Sequence, residues 1–232
     1  MVDEGKGLLR RVGVFSTLSE DDDLYWSRQC RVSELAAGTI VFDYGGKAEN
    51  VFFALDGFLR IAVKLNQRKE LLLDGVGPCQ LVGELSLLDG APYSARMVAD
   101  NNLTLVQLPG TVLREMIETR PQVAMAVMVL IVSRFRALQQ RMTEMSHLDA
   151  RMRLYSSLLR LSRPMDEHEE RRIIRPALIH AELADYIGAS RETVSREMSR
   201  LMQDAVIEKA PDAIIIRQPR ELARRLSGSV LS

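Results

Sequence analysis

The chain is poor in cysteine, histidine and aromatic residues. Two cysteines, Cys30 and Cys79, stand among 232 residues. An iron–sulfur cluster takes four thiolates, so this chain cannot hold one alone. Nothing suggests a disulfide framework, and a reducing cytoplasm fits. His147, His168 and His180 lack metal-ligand spacing with one another or with the cysteines, so no metal is expected. Walker, HExxH and GxSxG patterns are absent, which removes the common motif-bearing enzymes. The N-terminus lacks a charged-then-apolar signal pattern. The longest apolar run, Val123 to Val132, is about half the roughly 20 residues of a membrane span. A buried or partnered helix is expected there, and no membrane.

Net charge is also lacking. Lysine and arginine number 31, aspartate and glutamate 31. The charges are unevenly placed, however. Ala150 to Ser232 holds 15 basic against 12 acidic residues, a balance of +3 that leaves −3 for the remainder. Fourteen of those 15 are arginine, whose planar fork suits phosphates and guanine edges. With 47% hydrophobic residues the chain can bury a core.

Three textures follow one another. Residues 1 to about 30 look helical, with Leu8, Leu9, Val12, Val14, Phe15 and Leu18 on an apolar side. From about 31 to 110, short strands alternate with glycines: Thr39–Phe42, Val51–Leu55, Phe58–Val63, Glu70–Gly75, Arg96–Ala99 and Leu103–Leu108. That rhythm predicts a barrel or sandwich. Beyond it the chain turns helical. Thr111 can cap a short helix to about Thr119, and Pro121 can open a longer one to about His147. In the latter, Met128, Ile131, Phe135, Leu138, Met142 and Met145 step by three and four, a heptad seam. About 26 residues at about 1.5 Å each make a rod of roughly 39 Å. One small domain cannot cover it, so a parallel homodimer is expected. Asp149 can cap the next helix, to about Leu161, which places a boundary near 148. The polar run Ser162 to Arg172 reads as an exposed loop.

Ile179 to Lys209 is the informative stretch. Leu183, Ala184 and Ile187 form the inner face of a short helix, which Gly188 ends in a left-handed turn. Ser190 caps a second helix whose Val194, Met198 and Leu201 face inward. Arg191, Glu192, Ser195, Arg196 and Arg200 face outward. Such a pair presents its second helix to the major groove, where Arg can grip guanine and Glu can accept from cytosine. Val206–Lys209 and Ala213–Arg217 then read as a two-stranded wing.

The segment Ser190-Arg191-Glu192-Thr193-Val194-Ser195-Arg196 is similar to the recognition-helix signature of the cyclic-AMP receptor protein / fumarate-nitrate regulator (CRP/FNR) family. The resemblance covers nearly the whole chain. It implies an α+β fold in three parts: a cyclic-nucleotide-binding-like β-roll (1–120), a dimerisation helix (121–148) and a winged helix-turn-helix (149–232). It also implies base reading by Arg191, Glu192 and Arg196. The implied partners are double-stranded DNA, a second copy of the chain and RNA polymerase.

Val82 to Ala95 resembles the family's phosphate-binding cassette. Gly83, Glu84, Leu85 and Ser86 would offer backbone N–H groups and a ribose-binding carboxylate, and Ser94 a phosphate donor. Tyr93 stands where cyclic-AMP-binding relatives carry the arginine that pairs with the phosphate. One neutral hydroxyl replaces a bidentate cation. Leu138 and Gln139 correspond to the positions that meet adenine, and Leu138 cannot hydrogen-bond a base. A small effector other than cyclic AMP is therefore expected. A ligand-independent regulator, or a haem-based redox or gas sensor on the same scaffold, is the alternative.

Overall fold

The computed structural model describes residues 7–66, 69–165, 170–175 and 177–227. It forms two compact units, divided between Ala137 and Leu138. The division falls inside one continuous helix.

The first unit opens with two 3-10 turns, Leu9–Arg11 and Gly13–Phe15, followed by helix α1 (Glu20–Ser27). The helical texture expected for this region is thus realised, among the described residues, as short separate pieces. Asp23, almost fully buried, accepts from the backbone N–H groups of Gly7, Leu9 and Arg10 at 2.6, 2.9 and 3.1 Å. Its carboxylate satisfies the first turn and pins it across α1. The predicted apolar side is nevertheless the buried one, with Leu9, Val12, Val14, Phe15 and Leu18 in a single core cluster.

Strands β1 (Arg31–Leu35), β2 (Ile40–Phe42), β3 (Asn50–Ala54), β4 (Leu59–Asn66) and β5 (Lys69–Val76) follow. Helix α2 (Glu84–Asp89) and strands β6 (Arg96–Ala99) and β7 (Leu103–Pro109) complete the roll. The antiparallel orders are β1-β7-β3 and β2-β6-β4-β5. β1 was not predicted, because Arg31–Leu35 is largely exposed and shows no apolar alternation. β3 and β7 are buried on both faces. Phe52, Ala54, Leu103 and Leu105 join one core cluster, while Val51, Phe53, Val106 and Leu108 join the other. This is the period-two geometry of a strand with apolar layers on both sides.

Helix α3 (Gly110–Thr119) starts one residue before Thr111, with no side-chain cap at its N-terminus, so Thr111 is not the cap. Gly110 is required there. A Cβ would overlap Leu87 of α2 and stand 2.8 Å from the Glu49 carbonyl. Helix α4 (Pro121–His147) begins and ends as the sequence predicts. Arg120, just before it, donates to both Asp22 carboxylate oxygens at 2.8 and 2.6 Å and lies over Trp26. Val123 and Val127 enter the first unit's core, with Leu130 and Ile131 packed against it. Ile131 is therefore partly covered by its own chain. Met128, Phe135, Leu138, Met142 and Met145 stay at least half exposed, as do Met125 and Val129. By length and composition α4 could cross a membrane: an 18-residue stretch has mean hydropathy 1.4, and 11% of it is buried.

The second unit holds the rest of α4, then α5 (Ala150–Leu161), β8 (Arg163–Pro164), β9 (Arg172–Ile174), α6 (His180–Ile187) and α7 (Arg191–Gln203). β10 (Ile207–Ala210), β11 (Ala213–Ile216) and α8 (Pro219–Ser227) finish it. Asp149 caps α5 as expected, accepting from Met152 N–H at 2.8 Å. The run Ser162 to Arg172 is not simply a loop. Its ends pair as β8 and β9 and extend the wing into a sheet ordered β10-β11-β9-β8. Arg172 supports this by donating to the Ser162 hydroxyl at 2.7 Å and its carbonyl at 2.5 Å. Residues 166–169, with His168, lie outside the described residues.

The last turns of α4 are fastened to this unit by Glu144, which is 8% exposed. Its carboxylate accepts from the Ser156 hydroxyl at 2.6 Å, from Arg160 at 2.9 and 3.1 Å, and from Gln140 at 3.2 Å. Glu144→Ala leaves the Arg160 charge unpaired in a part-buried position. It should cost the second unit about 3 kcal/mol, read as a lower urea midpoint with the first unit's transition unchanged.

Candidate nucleic-acid interface and ligand cassette

The helix-turn-helix is built as its sequence dictates. Leu183, Ala184 and Ile187 are buried, and so are Val194, Met198 and Leu201 on α7. Gly188 takes φ +63°, and a Cβ there would stand 2.9 Å from Met145 Cε. Only glycine reconciles the left-handed turn with that contact. Ser190 caps α7, its hydroxyl accepting from Thr193 N–H at 3.1 Å.

Arg191, Glu192, Arg196 and Arg200 are exposed and Ser195 is half-buried. The side chains of Arg191, Glu192 and Arg196 have no ion pair among the described residues, so their charges are available to a partner. Arg200 differs, since it lies 3.9 Å from Glu197. Glu197 was not singled out in the sequence. It is buried on the inner side of α7 and accepts from the Tyr155 hydroxyl at 2.9 Å. Burial and that carboxylate hold the Tyr155 phenol above its ordinary pKa, so it stays protonated as a donor. Arg225 of α8 ties in Asp204 at 2.7 Å and Glu221 at 2.8 Å. The roll of α7 is therefore set from behind by groups on α5 and α8. No sequence signal marks these pairs, because each joins residues at least 20 positions apart except the i, i+4 pair within α8.

In the first unit, Gly83 (φ +88°) and Gly90 (φ +75°) bracket α2, so this segment folds as a turn, a short helix and a second turn. Glu84 is fully buried and ion-paired with Arg134 of α4. Arg134 also donates to the Leu81 carbonyl at 2.5 Å. Its part in the site was not foreseen, since it comes from fifty positions away. The Oε2 of Glu84 has no hydrogen-bond partner among the described residues. Ser86 is half-buried, its hydroxyl donating to the Pro92 carbonyl at 3.4 Å, while Leu85 and Ser94 are exposed.

Tyr93 does not take the place of a phosphate-binding arginine. Its ring is 7% exposed, stacks on Phe42 at 4.0 Å and belongs to the inter-sheet core. Its hydroxyl donates to the Asn50 carbonyl at 3.0 Å. Burial raises its pKa, so the phenol stays neutral. The nearby cation, Arg96, is engaged bidentately by Asp43 at 2.9 and 2.9 Å, which holds the Asp43 carboxyl below its ordinary range. The residues present thus offer a cyclic nucleotide a free carboxylate oxygen for a hydroxyl. For its phosphate charge they offer backbone N–H groups and Ser94, without the motif's cation. Leu138 and Gln139 are exposed on α4 in the second unit. Cys30 is pushed up to about 12 by burial, with Asp23 adding to it, so it is an inert thiol.

Comparison with known proteins follows the same division. Residues 32–120 match the cyclic nucleotide-binding domain, and residues 152–225 match the Crp-like helix-turn-helix domain. The CRP-like cAMP-activated global transcriptional regulator of Mycobacterium tuberculosis is 24% identical over 219 residues, covering 94% of this chain and 98% of that protein. Among solved structures, FixK2 from Bradyrhizobium japonicum superposes with TM-score 0.72 at 18% identity, covering 84% and 96% of the two chains. The c-di-GMP responsive global regulator CLP of Xanthomonas campestris gives TM-score 0.64 at 20% identity, covering 82% and 94%. These relatives are regulators and not enzymes. With a cyclic-nucleotide-binding-type β-roll, a long helix and a helix-turn-helix in that order, the chain belongs to the CRP/FNR family of bacterial transcription regulators.

Proposed function

We propose that this chain is a cytoplasmic homodimer that reads a palindromic DNA site through Arg191, Glu192 and Arg196 and answers to an effector other than cyclic AMP. The observation that carries the DNA reading is the first two turns of α7. Three charged side chains stand exposed there and have no ion pair among the described residues, on a helix capped by Ser190 and braced by Tyr155. Arg191 and Arg196 are suited to guanine edges, Glu192 to cytosine N4. Ser195 and Arg200 flank them, with Arg200 closer to the helix's own Glu197 than to a free role.

The dimer reading rests on α4. Its exposed Met128, Phe135, Leu138, Met142 and Met145 recur at heptad spacing, while Arg134, Arg136, Gln139 and Arg141 occupy other positions along the same turns. Interleaved arginines at mid-helix disfavour a bilayer, where each costs several kcal/mol. A second copy covers such a stripe at no charge-burial cost. The three-part division 1–120, 121–148, 149–232 serves this reading, and RNA polymerase is the partner through which a bound dimer would act.

The effector reading rests on the cassette. One relative is cAMP-activated and another c-di-GMP responsive, so this scaffold serves more than one ligand. Here the aromatic packing of Tyr93 and the Asp43–Arg96 pair leave a bound phosphate without the motif's cation, and Arg134 is already paired with Glu84. Desolvating that charge unpaired is expensive. The free Oε2 of Glu84 suits a ligand that donates a hydroxyl or N–H. Ligand-independent action is favoured instead if Arg134 keeps Glu84 engaged permanently.

Three outcomes test this. Arg191→Ala or Arg196→Ala should weaken a selected duplex by about 1–3 kcal/mol and relax base choice at one position per half-site. Equal loss on random DNA would reduce them to phosphate contacts. Phe135→Asp, which buries a charge twice across the two-fold axis, should give monomers by light scattering. A fully dimeric variant refutes the seam. Calorimetry with cyclic AMP should find weak binding or none, and submicromolar affinity would overturn the effector reading.

A further inference from the structure

The inner side of α7 carries a carboxylate. Glu197 is buried there together with Val194, Met198 and Leu201. A charge taken out of water needs partners. The hydroxyl of Tyr155, itself buried on α5, donates to Glu197 Oε2 at 2.9 Å. The other oxygen, Oε1, lies 3.9 Å from Arg200 Nη1, one turn on along the helix. A second carboxylate, Asp204, stands one turn beyond Arg200, but Arg225 of α8 holds it at 2.7 Å. Glu197 is thus the carboxylate left to Arg200. Arg191 and Arg196, on the same outward side of α7, have no ion pair among the described residues. The helix therefore carries two kinds of arginine, those with an open charge and one that faces a buried anion of its own.

We infer that Glu197 cancels the charge of Arg200 towards DNA and so sets the sequence-independent share of the domain's affinity without touching a base. The inference rests on the DNA reading proposed above and concerns how strongly that face grips any duplex. Arg196 and Arg200 are four residues apart, which places them on one face of the helix. An arginine that meets the phosphate backbone adds one ionic contact and releases one counterion. The carboxylate behind Arg200 opposes this in two ways. It lowers the positive potential of the guanidinium, and it fixes a negative charge beneath a helix that must approach a polyanion. The Glu197 side chain is 12% exposed, so salt and water screen it less than they would a surface partner. Its bond to Tyr155 keeps it in place. Tyr155 is accordingly a positioning residue, and Glu197 acts through Arg200.

The full-length protein is titrated by anisotropy on a duplex selected from a random pool and on a random duplex, over about 50 to 300 mM salt. Glu197→Gln keeps a side-chain carbonyl for the Tyr155 hydroxyl and removes the charge. It should tighten both duplexes by the same factor, about threefold or more at the lowest salt, and steepen log affinity against log salt by about 0.9 per protomer. Arg200→Ala should remove that whole gain on the Glu197→Gln background and cost far less slope on the unaltered one. Tyr155→Phe loosens the support of α7 but keeps both charges, so it should not steepen the slope. A slope unmoved by Glu197→Gln overturns the inference, and so does an equal loss from Arg200→Ala on both backgrounds. A Tyr155→Phe slope as steep as that of Glu197→Gln also overturns it, because loosening would then be the cause. If Glu197→Gln does not fold, Arg200→Ala alone decides: a loss of about 0.9 per protomer means that Arg200 already contacts phosphate and is not masked. All these outcomes leave the DNA reading standing. Absence of DNA binding by the unaltered protein refutes the reading itself.

Discussion

The buried carboxylate of Glu144 is the constraint on which the second unit's arrangement depends. A carboxylate taken out of water must be paired and hydrogen-bonded. Glu144 meets that demand with donors from its own helix and from α5, and Arg160 extends the network to the Ser157 hydroxyl at 3.1 Å. Arg160 also lies 5.8 Å from the Tyr186 ring, over which Arg141 stands at 4.4 Å. A charge set on α4 is thereby connected to α6, the first helix of the DNA-reading pair. Because α4 continues unbroken into the first unit, the DNA-reading body includes part of the helix proposed to dimerise.

Much of this was legible in the sequence, for a physical reason. Helix ends are written in local chemistry: Pro121, Asp149, Gly188 and Ser190 each mark a terminus that the structure reproduces. The inward faces of α6 and α7 follow from helical spacing alone. Strand positions followed from apolar runs, since β3 and β7 are covered on both faces. What failed to show was held by distant partners. β1 carries little apolar signal because its place comes from pairing with β7 about seventy residues later. The N-terminal turns owe their shape to Asp23, and Glu197 and Arg134 acquire meaning only through Tyr155 and Glu84.

Tyr93 shows the limit of carrying a motif over by alignment. At the sequence level it stands as a weak substitute for a cation. In the fold its ring closes the space between the two sheets of the roll, and its hydroxyl satisfies a backbone carbonyl. A residue read from a motif as a ligand contact can serve instead as core packing. The cassette then keeps its turn–helix–turn form through Gly83, Gly90 and the Leu87–Gly110 contact.

Arg153 carries a consequence for how the DNA-reading domain comes apart. Its guanidinium donates to the carbonyls of Ile187, Gly188 and Leu148 at 2.7, 3.1 and 2.7 Å. Those oxygens belong to the ends of two different helices, where carbonyls have no partner within the helix. One side chain thus closes both ends at once. Fraying of the rod's lower end and opening of the turn between α6 and α7 become a single event, since neither can release its carbonyl without loosening the shared cation. In amide-exchange terms the two ends form one cooperative unit of local unfolding, although forty residues separate them along the chain.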